Sequence, residues 1–216
     1  MELEHVHQVY EVIAEHFDRT RYSYWNQVRR FLDQLPAGSL VLDNGCGNGK
    51  YLTYRKDLEM VGLDPCKAFV DLCRSKYSGT VIQGNGLSLP FRQNIFDAAI
   101  SIAVLHHLST PDTRHQFLCE MIRSMKPGAY GLVTVWAKEQ EYATLIKKWE
   151  ALETPNDYLV PWCHPNGTCL SKRYYHLFDQ EEVQQLFQSI PNLSIQSILF
   201  EKSNWCIVFS KNSLDI

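Results

Sequence analysis

The sequence predicts an α/β fold: a Rossmann-like, doubly wound, seven-stranded sheet, mostly parallel with an antiparallel last strand, preceded by two helices. Three observations point there. Short apolar runs alternate with segments of helical period. A glycine-rich turn, VLDNGCGNGKYL, follows the first run. The next run, MVGLD, ends on an acid roughly twenty residues later, the spacing of a nucleotide-binding βαβ unit.

Each element has its own signal. His5 to Phe17 sets Val9, Val12, Ile13, Ala14 and Phe17 on one helical face, and Trp25 to Leu35 repeats the period with Val28, Phe31, Leu32 and Leu35. Leu40 to Asp43 reads as a buried strand, Asn48 to Arg55 as a helix start, Met60 to Asp64 as a strand and Lys67 to Lys76 as a helix. Thr80 to Ile82 is a short strand, Phe96 to Ala103 a longer one and Thr113 to Met125 a helix. Tyr130 to Ala137 is a strand after the Pro127-Gly128 turn. From Lys138 the alternation lapses into a helix-like piece, Tyr142 to Leu152, and a loop containing Pro, Asn and Gly. Residues 138–175 therefore read as an insertion, the natural seat of substrate specificity. A helix, Gln180 to Ser189, and two closing strands, Ser194 to Phe200 and Trp205 to Ser210, complete the sheet.

Composition bounds the function. The 216 residues, 45% hydrophobic and 21% charged, suit one domain, 1–216, and no run approaches the about eighteen apolar residues of a membrane span. The opening MELEHVHQVYEVIAEHF is acidic and helical in period, which argues against a targeting signal and for a cytoplasmic protein. Seven cysteines, an odd number with no Cys-x-x-Cys pair, read as reduced thiols, with neither a zinc cluster nor a disulfide framework expected. The net charge of −3 excludes a uniformly basic surface. The basic pairs Arg29-Arg30, Lys147-Lys148 and Lys172-Arg173 leave nucleic-acid contact open.

The glycine turn has three usual meanings. A Walker A loop needs glycine at 44 and a hydroxyl at 51, where Asn44 and Tyr51 stand. A dinucleotide fingerprint needs a glycine at 50, where Lys50 stands. What remains, Asp43-x-Gly45-x-Gly47-x-Gly49, suits S-adenosylmethionine: glycines let the backbone approach the ligand, Asp43 meets an ammonium, and Asp64 accepts bonds from ribose hydroxyls.

With these residues in place the chain resembles the class I methyltransferases, and more narrowly the eukaryotic tRNA wobble-uridine carboxymethyl methyltransferase family. The similar segments are HVHQVYEVIAEHF at His5 to Phe17, GCGNGKYL at Gly45 to Leu52, ISIAVLHH at Ile100 to His107 and VWAKEQE at Val135 to Glu141. VPW at Val160 to Trp162, RYYHL at Arg173 to Leu177 and EKSNW at Glu201 to Trp205 complete the set. The resemblance implies methyl esterification of 5-carboxymethyluridine at the wobble position of tRNA, with a small zinc-binding activator protein as partner. It also implies a cofactor set of Tyr10, Asp43, Gly45, Gly47, Gly49, Asp64, Asn85 and Ala103. Two positions depart from the family pattern: Asn44 stands where an aliphatic residue is usual, and Asn85 where an acid usually receives the adenine amine. A neutral acceptor holds that amine more weakly than a carboxylate.

Such a reaction needs no strong base, because a carboxylate is already ionised at neutral pH. It needs donors that position the nucleophile. The candidates are Arg21, His106 (favoured over His107, since neighbours on an extended segment point apart), Trp136, Tyr174, His176 and Asn204. Each has a structural reading too: Arg21 as a partner of Asp18, Trp136 as core, one or two of Tyr174, Tyr175 and His176 as packing, Asn204 as a turn residue. Lys172 and Arg173 read as phosphate contacts. The short strand at Val81-Ile82 belongs at the sheet edge, where an activator could add a strand. Two alternatives stay open: a small-molecule O- or N-methyltransferase using a histidine base, and an inactive cofactor-binding scaffold.

Overall fold

The computed structural model describes residues 1–140, 146, 148–163 and 167–213. A single π turn, Leu3–His7, runs into α1 (Gln8–Thr20), followed by α2 (Asn26–Asp33). Then come β1 (Leu40–Asn44), β2 (Glu59–Asp64), α3 (Lys67–Lys76), β3 (Thr80–Gln83) and β4 (Phe96–Ile102). A 3-10 turn, Leu105–His107, leads to α4 (Pro111–Ser124) and β5 (Met125–Trp136). The remaining elements are β6 (Glu150–Ala151), β7 (Asp157–Cys163), β8 (Cys169–His176), α5 (Gln180–Gln188), β9 (Leu193–Glu201) and β10 (Asn204–Lys211).

The main sheet has seven strands in the order β3-β2-β1-β4-β5-β10-β9, parallel from β3 to β5, with β10 antiparallel to both neighbours. It is the expected doubly wound sheet, and strand β3 lies at its edge. Its inner strands carry apolar residues on both faces. Leu42, Ala99 and Val133 pack under Phe117, Met121 and Phe187 of α4 and α5, while Val41, Ala98 and Ile100 pack under Val28, Leu32 and Val70 of α2 and α3.

Carboxylates from other elements fix the helix starts. Glu201 accepts hydrogen bonds from the backbone N–H groups of Asn26 (2.9 Å) and Gln27 (3.0 Å) at the head of α2. Glu11 of α1 does the same for Lys67 and Ala68 of α3. These pairings satisfy N–H groups that a helix cannot satisfy itself and match its positive end. Among the described residues no helix is long and apolar enough to cross a membrane.

Four expectations are corrected. Asn48 to Arg55 forms no helix: Gly49, Leu52 and Tyr54 each bond three residues back, and the positive φ of Gly47 and Gly49 interrupts any helical run. Strand β5 starts at Met125, not Tyr130. Met125 faces Phe96 and Tyr130 faces Ala98, so Lys126 to Ala129 bulge out around Gly128. Within 138–175 the described residues form a second, three-stranded antiparallel sheet, β6-β7-β8, where a helix-like piece and a loop were expected. Of the helix-like piece Tyr142 to Leu152, residues 142–145 and 147 lie outside the described residues, and Glu150–Ala151 is strand. Finally, Cys163 and Cys169 form a disulfide and are not the reduced thiols expected. They face each other across the β7–β8 register, a pairing that their spacing in the chain does not reveal.

Candidate functional site

A cavity of about 680 Å³ opens at the carboxyl ends of β1, β2, β4 and β5, under α1 and against β8. This is the edge at which doubly wound sheets bind ligands. Its floor is the glycine turn. Gly45, at φ +85°, hydrogen-bonds through its N–H to the Leu63 carbonyl, and a Cβ there would stand 2.4 Å from Val104 Cγ2. Gly47 lines the cavity as well. Gly49 does not: a Cβ at that position would meet Cys73 Sγ at 2.7 Å, so its glycine is demanded by packing behind the turn and not by a ligand. Ala103, expected as a cofactor contact, lines the cavity at φ +61°, held by its N–H to the Thr134 hydroxyl at 2.9 Å.

Two acids sit at adjacent strand ends. Asp43 is 1% exposed and its Oδ2 has no hydrogen-bond partner. Burial, then the nearby Asp64, push its pKa up to about 7, opposed by Lys50. Asp64 accepts from the Gly47 N–H (2.8 Å) and the Cys66 N–H (2.9 Å), and burial raises its pKa to about 6 against those two bonds. An orphaned carboxylate oxygen beside bare glycine backbone calls for a cationic donor. Asn44, also buried, has no partner for either polar atom of its amide. Asn85 lines the rim, with its Oδ1 accepting from the Leu87 N–H at 2.9 Å, so one acceptor position is already used.

The opposite wall is aromatic and histidine-rich. His106 and His107 lie on the 3-10 turn, not on an extended segment, so both rings line the cavity, 4.5 Å apart, and the expectation that they point apart is corrected. His107 Nδ1 donates to the Tyr174 carbonyl (2.8 Å), so its Nε2 accepts from the Tyr10 hydroxyl (2.9 Å). His106 Nδ1 accepts from the Trp136 backbone N–H (3.2 Å), which leaves its proton on Nε2, a buried atom with no hydrogen-bond partner among the described residues. His106 stacks on Tyr175 at 4.8 Å, and Trp136 lies 4.3 Å from that same ring. Burial first, and neighbouring positive groups after it, push His106 well below the ordinary histidine range. Burial lowers His107 to about 3. Both rings are neutral.

Asn204, opposite Trp136 in the β5–β10 register, is buried in the cavity wall, with its Nδ2 bonded to the Lys202 carbonyl and its Oδ1 unpartnered. Arg21 lines the mouth. Asp18 is taken by Lys76 and Asn48, and Arg21 instead lies over Trp162 at 5.1 Å. Burial, then Arg173, lower its pKa.

Tyr174 and His176 do not line the cavity, which corrects both. Alternation along β8 turns Arg173 and Tyr175 toward it and sends Tyr174 and His176 to the other face. There His176 bridges Asp157 (2.5 Å) and Glu182 (2.7 Å), Arg114 reaches Glu182, and Tyr174 accepts a bond from Arg114. These five residues tie the small sheet to α4 and α5. Arg173, expected at a phosphate, is 5% exposed and faces inward, while Lys172 pairs with Glu150 on the surface.

Lys50 is a functional candidate that the sequence did not single out. It lines the cavity, sits 4.8 Å from the Tyr51 ring, donates to the Ser23 carbonyl, and is lowered to about 8 by burial. Its signal was present as the last residue of GCGNGK. As a set these groups offer an orphan acid for a cation, donors for an anion and no strong base.

Comparisons agree with this geometry. A family model described as a methyltransferase domain matches residues 42–133. The chain is 36% identical over 229 residues to the tRNA (carboxymethyluridine(34)-5-O)-methyltransferase of Schizosaccharomyces pombe, covering 98% of each. It is also 36% identical over 261 residues to the Xenopus tropicalis protein tRNA (carboxymethyluridine(34)-5-O)-methyltransferase alkbh8, covering 98% of this chain but 41% of that one. It thus spans less than half of the Xenopus relative. In fold it matches, with a TM-score of 0.71 and 15% identity, a methyltransferase solved in complex with the Haloferax volcanii Trm112 methyltransferase activator, covering 98% of this chain and 99% of that one. The identity sustained end to end with the fission-yeast protein shows that the chain belongs to the tRNA carboxymethyluridine methyltransferase family.

Proposed function

We propose that this chain methyl-esterifies 5-carboxymethyluridine at the wobble position of tRNA, using S-adenosylmethionine, as the catalytic subunit of a complex with a small zinc-binding activator. The observation that carries the reading is the tautomer of His106. A ring whose Nδ1 is occupied by the Trp136 N–H and whose Nε2 bears the proton can donate to a carboxylate but cannot take a proton from a hydroxyl. That favours an anionic nucleophile over the small-molecule alternative with a histidine base.

The residues fit the cofactor. Asp43 suits its ammonium, Asp64 its ribose hydroxyls, Gly45 and Gly47 its close approach, and Tyr10, Asn85 and Ala103 line the same cavity. When bound, S-adenosylmethionine supplies a sulfonium-borne methyl group. Delivery of that methyl group to an already ionised carboxylate would require no proton to be removed. The chain's own task is therefore to orient the carboxylate and exclude water. His106 Nε2–H, Arg21, the Trp136 ring and Asn204 do this from the cavity walls. The β6-β7-β8 sheet, outside the common fold, sets specificity for the nucleotide. The activator adds to the edge strand β3, and the Haloferax complex supports an activator of this kind on this fold.

The test is to co-express the chain with the activator, incubate with S-adenosylmethionine and tRNA bearing 5-carboxymethyluridine, digest, and seek the ester by mass spectrometry. Ester is expected, and His106→Ala is expected to lower kcat on the order of tenfold to a hundredfold. Between pH 6 and 8 the wild-type rate should show no histidine titration. Cofactor binding without ester on any tRNA would replace this reading with the scaffold.

A further inference from the structure

Arg173 and Arg21 flank one aromatic ring, and among the described residues no carboxylate pairs with either. Their guanidinium carbons lie 4.5 Å and 5.1 Å from the Trp162 ring centre, and Arg173 also lies 5.0 Å over Tyr175. Both line the cavity. Among the described residues no ion pair includes either one. Arg173 is 5% exposed and its Nε has no hydrogen-bond partner. A buried cation without a counter-ion, close to a second cation, is costly to fold around, and such a group is retained where an anion arrives to complete it. The Trp162 and Tyr175 rings hold the Arg173 guanidinium in place, and its fork matches a planar two-oxygen anion.

Two anionic groups need placing in this cavity under the proposed reaction: the cofactor's own carboxylate and the substrate's. Lys50 ends the glycine turn and lines the cavity with Asp43, Gly45 and Gly47, and so serves the amino-acid end of the cofactor. Arg173 stands instead on β8, outside the common sheet, sharing Tyr175 with His106 and Trp136. We propose that Arg173 is the residue that binds and aligns the carboxylate of the substrate nucleotide, with Arg21 closing on it from the cavity mouth. The assignment rests on the tRNA-ester reading above. It also accounts for release: the ester carries no charge, so the product loses the ion pair that held the substrate.

The test compares the wild-type complex with Arg173→Met and Arg173→Lys. Dissociation constants are measured, with S-adenosylhomocysteine present, for tRNA bearing 5-carboxymethyluridine and for tRNA bearing the neutral carbamoylmethyl isostere, alongside cofactor affinity, Tm and ester formation. Wild type is expected to prefer the acid over the amide on the order of tenfold, and Arg173→Met to bind the two alike. Arg173→Met should lose on the order of a hundredfold in kcat/KM, Arg173→Lys should fall between, and cofactor affinity should stay within about twofold. If Arg173→Met fails to fold, Arg173→Lys decides, since it keeps the charge and loses the fork. A variant that retains the preference, or one that loses cofactor and not acid-bearing tRNA, overturns the assignment while leaving the ester reading intact. Wild type that makes no ester and shows no preference overturns both.

Discussion

Asp43 is the residue on which pH acts most directly. Its carboxyl is raised from 3.8 to about 7 in the folded chain, so the native state holds a proton that the unfolded chain releases. Stability of the cofactor-free protein therefore falls as pH rises from about 4 to about 7, by an amount on the order of a few kcal/mol. Asp43→Asn removes that cost. The variant should melt higher than wild type at pH 8 and close to it at pH 4 in a calorimetric scan, while binding cofactor at least about tenfold more weakly by titration. Loss of stability at pH 8 would show that the carboxylate has a partner the orphaned oxygen does not suggest. At this scale the sequence was informative where chemistry sits in a fixed local frame. Asp43, Gly45 and Asp64 were identifiable because a strand end and a tight turn dictate where they point. Tyr174 and His176 were not, because alternation along the stretch fixes that neighbours face opposite ways but not which face of β8 docks on the cavity.

Among the elements, the β7–β8 hairpin depends on its crosslink and α2 on a distant cap. The Cys163–Cys169 bond closes a loop with a sequence separation of 6, for which chain entropy predicts about 2 kcal/mol. Cys163→Ser, or reductant on wild type, should lower Tm by a few degrees, and an unchanged Tm under reductant would remove the crosslink's role. Glu201 holds the first N–H groups of α2 from the end of β9. Glu201→Ala should cost about 1 kcal/mol in urea unfolding with an unchanged m-value. Neither pairing was visible in the chain, because both join residues through strand register and helix placement. The helical periods of α1 and α2 were legible, since each buries a stripe against something regardless of what that is. The glycine turn misled in one respect: its turns bond three residues back and never become a helix.

For the whole molecule, the exposed edge at β3 is where an assembly would show itself. Val81 is buried and Ile82 half-buried, on a strand of four residues with one side unpaired in the sheet. Ile82→Lys should weaken activator binding on the order of tenfold by titration and leave cofactor binding unchanged. Equal affinity would move the activator to another face. The His176, Asp157, Glu182 and Arg114 cluster ties the small sheet to α4 and α5, and on the other face of β8 Arg173 and Tyr175 line the cavity.

The sequence by itself determined the sheet, the acid pair at consecutive strand ends and the family, because alternation, turn chemistry and end-to-end identity are local or cumulative properties of the chain. Only the tertiary structure decided which histidine nitrogen bears a proton, that Cys163 meets Cys169, and that Arg173 turns inward with no counter-ion among the described residues. The first and third are set by hydrogen bonds and burial among residues far apart in sequence, and the disulfide by the register of the β7–β8 hairpin.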